Sequence, residues 1–175
     1  MPLLHSPKVE VLIVDDEVQA RELLSEFCRA QGYDVATAHD GRAALAAIAR
    51  APRQFGIIIT DLQLPGADGF EVLMAAREAN PSVYVVMITG YASIDSAVRA
   101  VRDGAYDYLA KPFALGQLEV VLRRIRDRMS LEQENRELSR QVVGQSTPVA
   151  TDLTWRLQAI EERLAHIEAL LRARS

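Results

Sequence analysis

The sequence predicts an α/β protein: an open, doubly wound five-stranded parallel sheet followed by a C-terminal helical and coiled-coil extension. Three observations carry this. Up to about residue 126, short apolar runs rich in β-branched residues alternate with segments of helical periodicity. Runs such as FGIIIT and VYVVMIT are apolar at successive positions, as central parallel strands covered on both faces require. Finally, five β/α units in this length imply an open sheet wound in both directions.

Taken in order, the strands are expected over 9–14, 35–37, 56–60, 83–89 and 105–109. Each is a compact run of Val, Ile, Thr or aromatic residues bounded by polar or turn residues. The helices are expected over 17–31, 41–50, 68–79, 93–103 and 114–126, where the apolar period lengthens to that of a helix. Cys28 lies among Leu23, Leu24 and Phe27 on the first helix, so it is read as a buried structural thiol. The fifth helix is expected to continue through IRDRMSLEQENRELSRQV, which holds good helix formers and no break. GQSTPVATD then clusters linker residues around a proline. The domain boundaries expected are 1–126 for the α/β domain, 127–151 for the helical extension and linker, and 152–175 for a last amphipathic helix.

Composition narrows the function classes. The chain of 175 residues is 49% hydrophobic and 25% charged, which favours a globular fold over disorder. A net charge of −4 gives no general pull toward nucleic acid, which is disfavoured as a partner. A single cysteine rules out an internal disulfide and fits a reducing compartment. The N-terminus MPLLHSPKVE lacks the apolar core and cleavage site of a signal peptide. No apolar run reaches the ~20 residues that span a bilayer. The expectation is a soluble, cytoplasmic protein.

In VLIVDDE four apolar residues run into three carboxylates. Two such charges about 4 Å apart repel by roughly 4 kcal/mol at an effective dielectric near 20. Asp15 and Asp16 close the first strand, Asp61 the third and Thr89 the fourth, and Lys111 follows the fifth. In a doubly wound sheet these carboxyl ends form the ligand edge, so all five residues are expected to gather there. Three carboxylates at one edge suit Mg²⁺, a hard cation that keeps several waters and binds through a few carboxylates and a phosphate. A phosphoryl donor then places its group over Asp61 as a carboxylate nucleophile, with Lys111 and the Thr89 hydroxyl on the remaining oxygens. Glu17 is read as a first-turn helix residue favoured by the dipole.

VDDE, DLQLPGADG, MITGYAS and YDYLAKPF, in that order, resemble the receiver domain of two-component response regulators, over roughly residues 8–126. The resemblance implies a flavodoxin-like receiver fold in which Asp61 accepts phosphate from the phosphohistidine of a sensor histidine kinase or phosphotransfer protein. It implies that Asp16, Asp61 and the main-chain carbonyl of Gln63 ligate Mg²⁺, with Asp15 acting largely through water. Lys111 pairs with the acidic cluster and then the phosphate. Thr89 and Tyr108 are the implied switch residues, Thr89 drawn to the phosphate and Tyr108 turned inward behind it. The Lys111–Pro112 bond is implied to be cis. Gln63 and Tyr91, two residues after Asp61 and Thr89, occupy the positions that tune access of the hydrolytic water, and the bulk of Tyr91 predicts slow self-dephosphorylation.

The last segment carries a sharper pattern. Leu153, Leu157, Ile160, Leu164, Ile167 and Leu171 are spaced as a heptad seam, with Leu157, Leu164 and Leu171 at a and the others at d. Arg156 and Arg163 at g face Glu161 and Glu168 at e, which attract across a parallel coiled coil. The chain is therefore expected to self-associate or to join a partner's coiled coil; an amphipathic helix folded back on the receiver is the alternative. LEQENRELSRQVVGQSTPV and the stretch ITGYASIDSAVRAVRDGAYDYLAKPF are also similar to NtrC-like activators. These 175 residues contain no GxxxxGK[ST] phosphate loop and no helix-turn-helix pattern, so neither ATP hydrolysis by that route nor promoter activation is carried over.

The expected function is thus a phosphorylation-controlled interaction protein, not an enzyme in the ordinary sense. Two alternatives stand beside it: a DNA-binding regulator using Arg123, Arg124, Arg126 and Arg128, and a phosphorylation-independent scaffold. A haloacid-dehalogenase-type phosphatase needs an acid two residues after its nucleophile, whereas Asp61 is followed by Leu62 and Gln63.

Overall fold

Five short strands pair in parallel in the order β2-β1-β3-β4-β5. They are β1 (Glu10–Val14), β2 (Asp34–Ala38), β3 (Phe55–Asp61), β4 (Tyr84–Thr89) and β5 (Asp107–Ala110). The helices α1 (Val18–Ala30), α2 (Gly41–Arg50), α3 (Gly69–Ala79) and α4 (Ile94–Arg102) connect them, and α5 (Leu115–Val142) follows. This computed structural model describes residues 9–142, with side chains to 139. The seam at Leu153, Leu157, Ile160, Leu164, Ile167 and Leu171 lies outside the described residues.

The topology follows from handedness. The chain moves outward from β1 to β2, then crosses back and proceeds through β3, β4 and β5. With right-handed crossovers, that reversal sends α1 to one face and α2, α3 and α4 to the other. The reversal lies between β1 and β3, where a crevice forms outside the strand ends. Ile57, Ile58 and Ile59 are all at most 1% exposed although successive side chains point to opposite faces. Both faces are therefore covered, which is why the alternation expected of a half-buried strand is missing from FGIIIT. Each such side chain contributes about 1.5–3 kcal/mol by leaving water.

The fifth strand begins two residues later than its composition suggests. The Ala105 amide donates to Ala100 O at 2.8 Å and thereby closes the end of α4. The ladder with β4 starts at Asp107, opposite Val86, and runs to Ala110, opposite Thr89. β3 extends one residue further than expected, because Asp61 still pairs with Ile88. The starts of α2, α3 and α4 are capped by side chains: Asp40 accepts from the Ala43 amide, and Asp68 and Ser93 each form a capping box.

Two compact units divide between Pro112 and Phe113. In the second, α5 spans 28 residues. Leu118, Val121, Leu122 and Ile125 are buried, whereas Leu131 and Leu138 are exposed. Arg128 and Arg136 both reach Glu132 one turn away, at 3.3 and 3.8 Å. Among the described residues no helix is long and apolar enough to cross a membrane.

Candidate phosphoacceptor and metal site

Register brings the acidic groups together. Val14, the last residue of β1, pairs with Thr60, so Asp15 and Asp61 follow on adjacent strands at the same level. The Asp15 amide donates to Ala38 O, and the Lys111 amide donates to Thr89 O at 2.7 Å, so the residues after β1 and β5 are held to neighbouring strand ends. Gly69 fixes the far side of the loop after β3. Its amide donates to Leu62 O at 2.9 Å, and a Cβ there would stand 2.3 Å from the main-chain oxygen of Asp61. Only glycine allows α3 to start this close to the strand end.

The ammonium of Lys111 lies 2.7 Å from Asp15 Oδ2 and 2.7 Å from Asp61 Oδ2. The other oxygens are also occupied: Asp15 Oδ1 accepts the Glu17 amide, and Asp61 Oδ1 accepts the Gln63 amide, each at 2.9 Å. Asp15 and Asp61 are buried and Asp16 is exposed, yet each offers an oxygen within 4.8 Å of the others. Burial pulls the Lys111 pKa down, but the hydrogen bonds to Asp15 and Asp61 outweigh it and the net shift is upward. One ammonium faces three carboxylates, so the cluster is net negative and attracts a cation. All three groups are hard oxygen donors, and the exposed Asp16 leaves one side open to water. That donor set fits Mg²⁺.

The remaining expected residues fall around this cluster. Thr89 is buried and its Oγ1 accepts the Tyr91 amide at 3.1 Å. Tyr91 is 73% exposed, so its ring stands in solvent beside the strand end. Gln63 enters through its amide on Asp61 and is otherwise exposed. Tyr108 is buried, not part of the carboxylate cluster, and its hydroxyl lies 2.8 Å from Ser96 Oγ. Burial pushes its phenol pKa up, with the Ser96 hydrogen bond acting in the opposite sense. The Lys111–Pro112 bond is cis. Cys28 is buried, and burial pushes its thiol up to about 12. Glu17 differs from expectation: it is the N-cap residue of α1, outside the first turn, and makes no side-chain cap bond. Its amide is directed to Asp15 instead, so here the aspartate takes a local bond from the backbone.

Two contacts escaped the sequence reading. An Arg21 guanidinium nitrogen donates to the main-chain oxygen of Asp15 at 2.6 Å, holding the turn that presents Asp15 and Asp16. No local pattern marks it, because the partner is a carbonyl. The Ser96–Tyr108 bond had a partial signal, the Ser93-x-x-Ser96 spacing of a capping box.

A doubly wound sheet in the order 2-1-3-4-5, with an acidic cluster and a lysine at its carboxyl edge, defines a receiver-type α/β protein. The response regulator receiver domain family matches residues 11–123, and the chain belongs to that family. Receiver domains interact with histidine kinases or phosphotransfer proteins. The chain is 40% identical over 131 residues to the nitrogen assimilation regulatory protein NtrX of Azorhizobium caulinodans, covering 74% of this chain and 28% of NtrX. It is 36% identical over 141 residues to the response regulator protein PilR of Pseudomonas aeruginosa, covering 80% and 31%. Among solved structures, NtrX from Brucella abortus in complex with ADP superimposes with a TM-score of 0.67 at 34% identity, covering 83% of this chain and 31% of that one. The beryllofluoride-activated NtrC4 receiver domain dimer gives 0.61 at 34% identity, covering 66% and 94%. The chain thus spans about a third or less of these two curated relatives.

Proposed function

We propose that this receiver accepts a phosphoryl group on Asp61 and signals through a change in protein–protein association. The observation that carries the reading is the shared lysine: Lys111 bonds Asp15 and Asp61 at 2.7 Å each, inside a cluster of three carboxylates. A carboxylate oxygen of Asp61 attacks the phosphorus, the bond to the donor's imidazole nitrogen breaks, and an acyl phosphate results. The Gln63 amide holds Asp61 Oδ1 and so fixes which way the carboxylate faces. The Lys111 ammonium, now on Asp61 Oδ2, turns to hydrogen-bond a phosphoryl oxygen, and the Thr89 hydroxyl takes another. Asp16 and Asp61, with the Gln63 carbonyl, would hold Mg²⁺, and Asp15 would act through water. An ion bound there would supply positive charge to offset that on the transferring oxygens.

Asp61, Lys111 and Thr89 are the reacting set in this proposal, and Thr89 and Tyr108 the switch. Moving a two-state receiver from 1:99 to 99:1 takes about 5.5 kcal/mol of differential stabilisation. The output is self-association or docking through the C-terminal helix, supported by the heptad spacing from Leu153 to Leu171. Molecular mass in solution, with and without beryllofluoride and Mg²⁺, tests the reading. A change that needs both reagents supports it; one mass under every condition removes the association step.

The exposed Tyr91 ring carries a separate expectation. The acyl phosphate should persist for minutes or longer, and Tyr91→Ala should shorten its lifetime about tenfold, a barrier change of about 1.4 kcal/mol. Release of inorganic phosphate from the isolated phosphoprotein measures both. Equal lifetimes in the two proteins would deny Tyr91 any role in excluding water.

A further inference from the structure

Ser96 occupies an unusual place in the hydrogen-bond network around α4. It is the third residue of the helix, where a capping box ordinarily has Glu or Gln reaching back to the cap. Here a serine does this. The Ser93 amide donates to Ser96 Oγ at 3.1 Å, and the Ser96 amide donates to Ser93 Oγ at 3.1 Å. The Ser96 hydroxyl donates back to Ser93 O at 3.0 Å. Tyr108 OH lies 2.8 Å from the same oxygen. A hydroxyl has one proton and two lone pairs. Ser93 Oγ also lies 2.9 Å from Ser96 Oγ, so with its proton on Ser93 O and one lone pair on the Ser93 amide, the remaining lone pair of Ser96 Oγ is shared between the Ser93 and Tyr108 hydroxyls.

Tyr108 is 3% exposed. A buried phenol needs partners for its hydroxyl; here they are Ser96 Oγ and the backbone of Ser93, so losing Ser96 removes one of the two. The same oxygen that completes the cap of α4 therefore also keeps the tyrosine inside. Moving the ring out breaks this bond, and moving the start of α4 breaks it equally. The segment between them and the site is short. Thr89 ends β4, its Oγ1 accepts the Tyr91 amide, and Ser93 caps α4 four residues after Thr89.

We infer that Ser96 is a positioning residue of the receiver switch, fixing Tyr108 in its buried pose and tying that pose to the start of α4. The inference concerns which residue sets the tyrosine population. It rests on the proposed switch role of Tyr108 for its functional consequence, not for its structural one. Because one hydrogen bond is at stake, the ratio of buried to exposed tyrosine should fall about threefold to tenfold without it. Ser96→Thr keeps the hydroxyl and should retain the ratio.

The test uses the full chain with ¹³Cζ-tyrosine labelling, the Tyr108 resonance assigned from Tyr108→Phe. Wild type, Ser96→Ala and Ser96→Thr are compared without donor and with beryllofluoride and Mg²⁺. The expected result is a Tyr108 signal displaced toward the exposed position in Ser96→Ala and restored in Ser96→Thr. Acetyl phosphate labelling should slow by a similar factor in Ser96→Ala, and Ser96→Ala should add nothing in the Tyr108→Phe background. An unchanged Tyr108 resonance in folded Ser96→Ala overturns the inference and leaves Ser96 a cap alone. Failure of the wild type to accept phosphoryl overturns the proposed function instead, while the resonance still decides the role of Ser96. Should Ser96→Ala not fold, Ser96→Cys, a weaker hydrogen-bonding group of similar size, gives the same readout; again, an unmoved resonance counts against the inference.

Discussion

Asp61→Asn should abolish phosphoryl acceptance while leaving the fold intact, and this is the largest functional effect expected from any single substitution. The amide removes the carboxylate proposed as nucleophile but keeps an oxygen able to accept the Gln63 amide now bonded to Asp61 Oδ1. Stability should not fall with activity. The cluster sets one ammonium against three carboxylates, and neutralising one carboxylate removes two repulsions for one lost attraction. At an effective dielectric near 20 these nearly cancel, with a net gain of about 1 kcal/mol in the absence of Mg²⁺. Mg²⁺ should then stabilise the variant less than wild type, since a ligand stabilises only as far as it binds the folded state. Acetyl phosphate labelling and urea unfolding, each with and without Mg²⁺, check these outcomes. Undiminished labelling of Asp61→Asn would place the phosphoacceptor elsewhere.

Lys111→Met should produce the opposite pattern: a large loss of stability that Mg²⁺ partly restores. Removing one member of a buried ion pair leaves an uncompensated charge, at about 3–5 kcal/mol when fully buried. Lys111 is a quarter exposed while Asp15 is nearly enclosed, so about 2–3 kcal/mol is the reasonable expectation. Without the ammonium, the three carboxylates repel one another and hold a divalent ion more tightly. Mg²⁺ should therefore raise the urea midpoint more in Lys111→Met than in wild type. Phosphorylation should slow, because the charge destined for the phosphoryl oxygen is gone.

The pH dependence has a definite sign. The folded-state pKa of Lys111 lies above its ordinary value, so the folded protein holds this proton more tightly than the unfolded chain does. The contribution is fully present below the ordinary lysine pKa, about 10.4, and is lost as pH rises through the folded value. Wild type should lose stability more steeply in this alkaline range than Lys111→Met. Parallel curves for the two proteins would mean that the ammonium contributes nothing to folding.

Much of the fold was legible because the signals were local. A sheet covered on both faces leaves no polar alternation, and FGIIIT and YVVMIT show none. Strand ends could be read because Asp15, Asp61, Thr89 and Lys111 each break an apolar run. The start of β5 was misplaced for the same reason: Ala105 and Tyr106 suit a strand by composition, but the Ala105 amide is claimed by Ala100 at the end of α4. The charge of Glu17 suits the first turn of a helix, yet its amide serves Asp15.

The sequence by itself determined the element order, the doubly wound class, the family and which polar residues stand at the strand ends, since periodicity and residue type are properties of short stretches. Only the tertiary structure decided that Lys111 bridges Asp15 and Asp61, that Arg21 secures the Asp15 turn, and that Tyr108 is held by Ser96. The Lys111 and Asp15 partners stand 96 positions apart in the chain. A hydrogen bond between such residues depends on sheet register and side-chain direction, to within a few tenths of an ångström, and no local pattern encodes either.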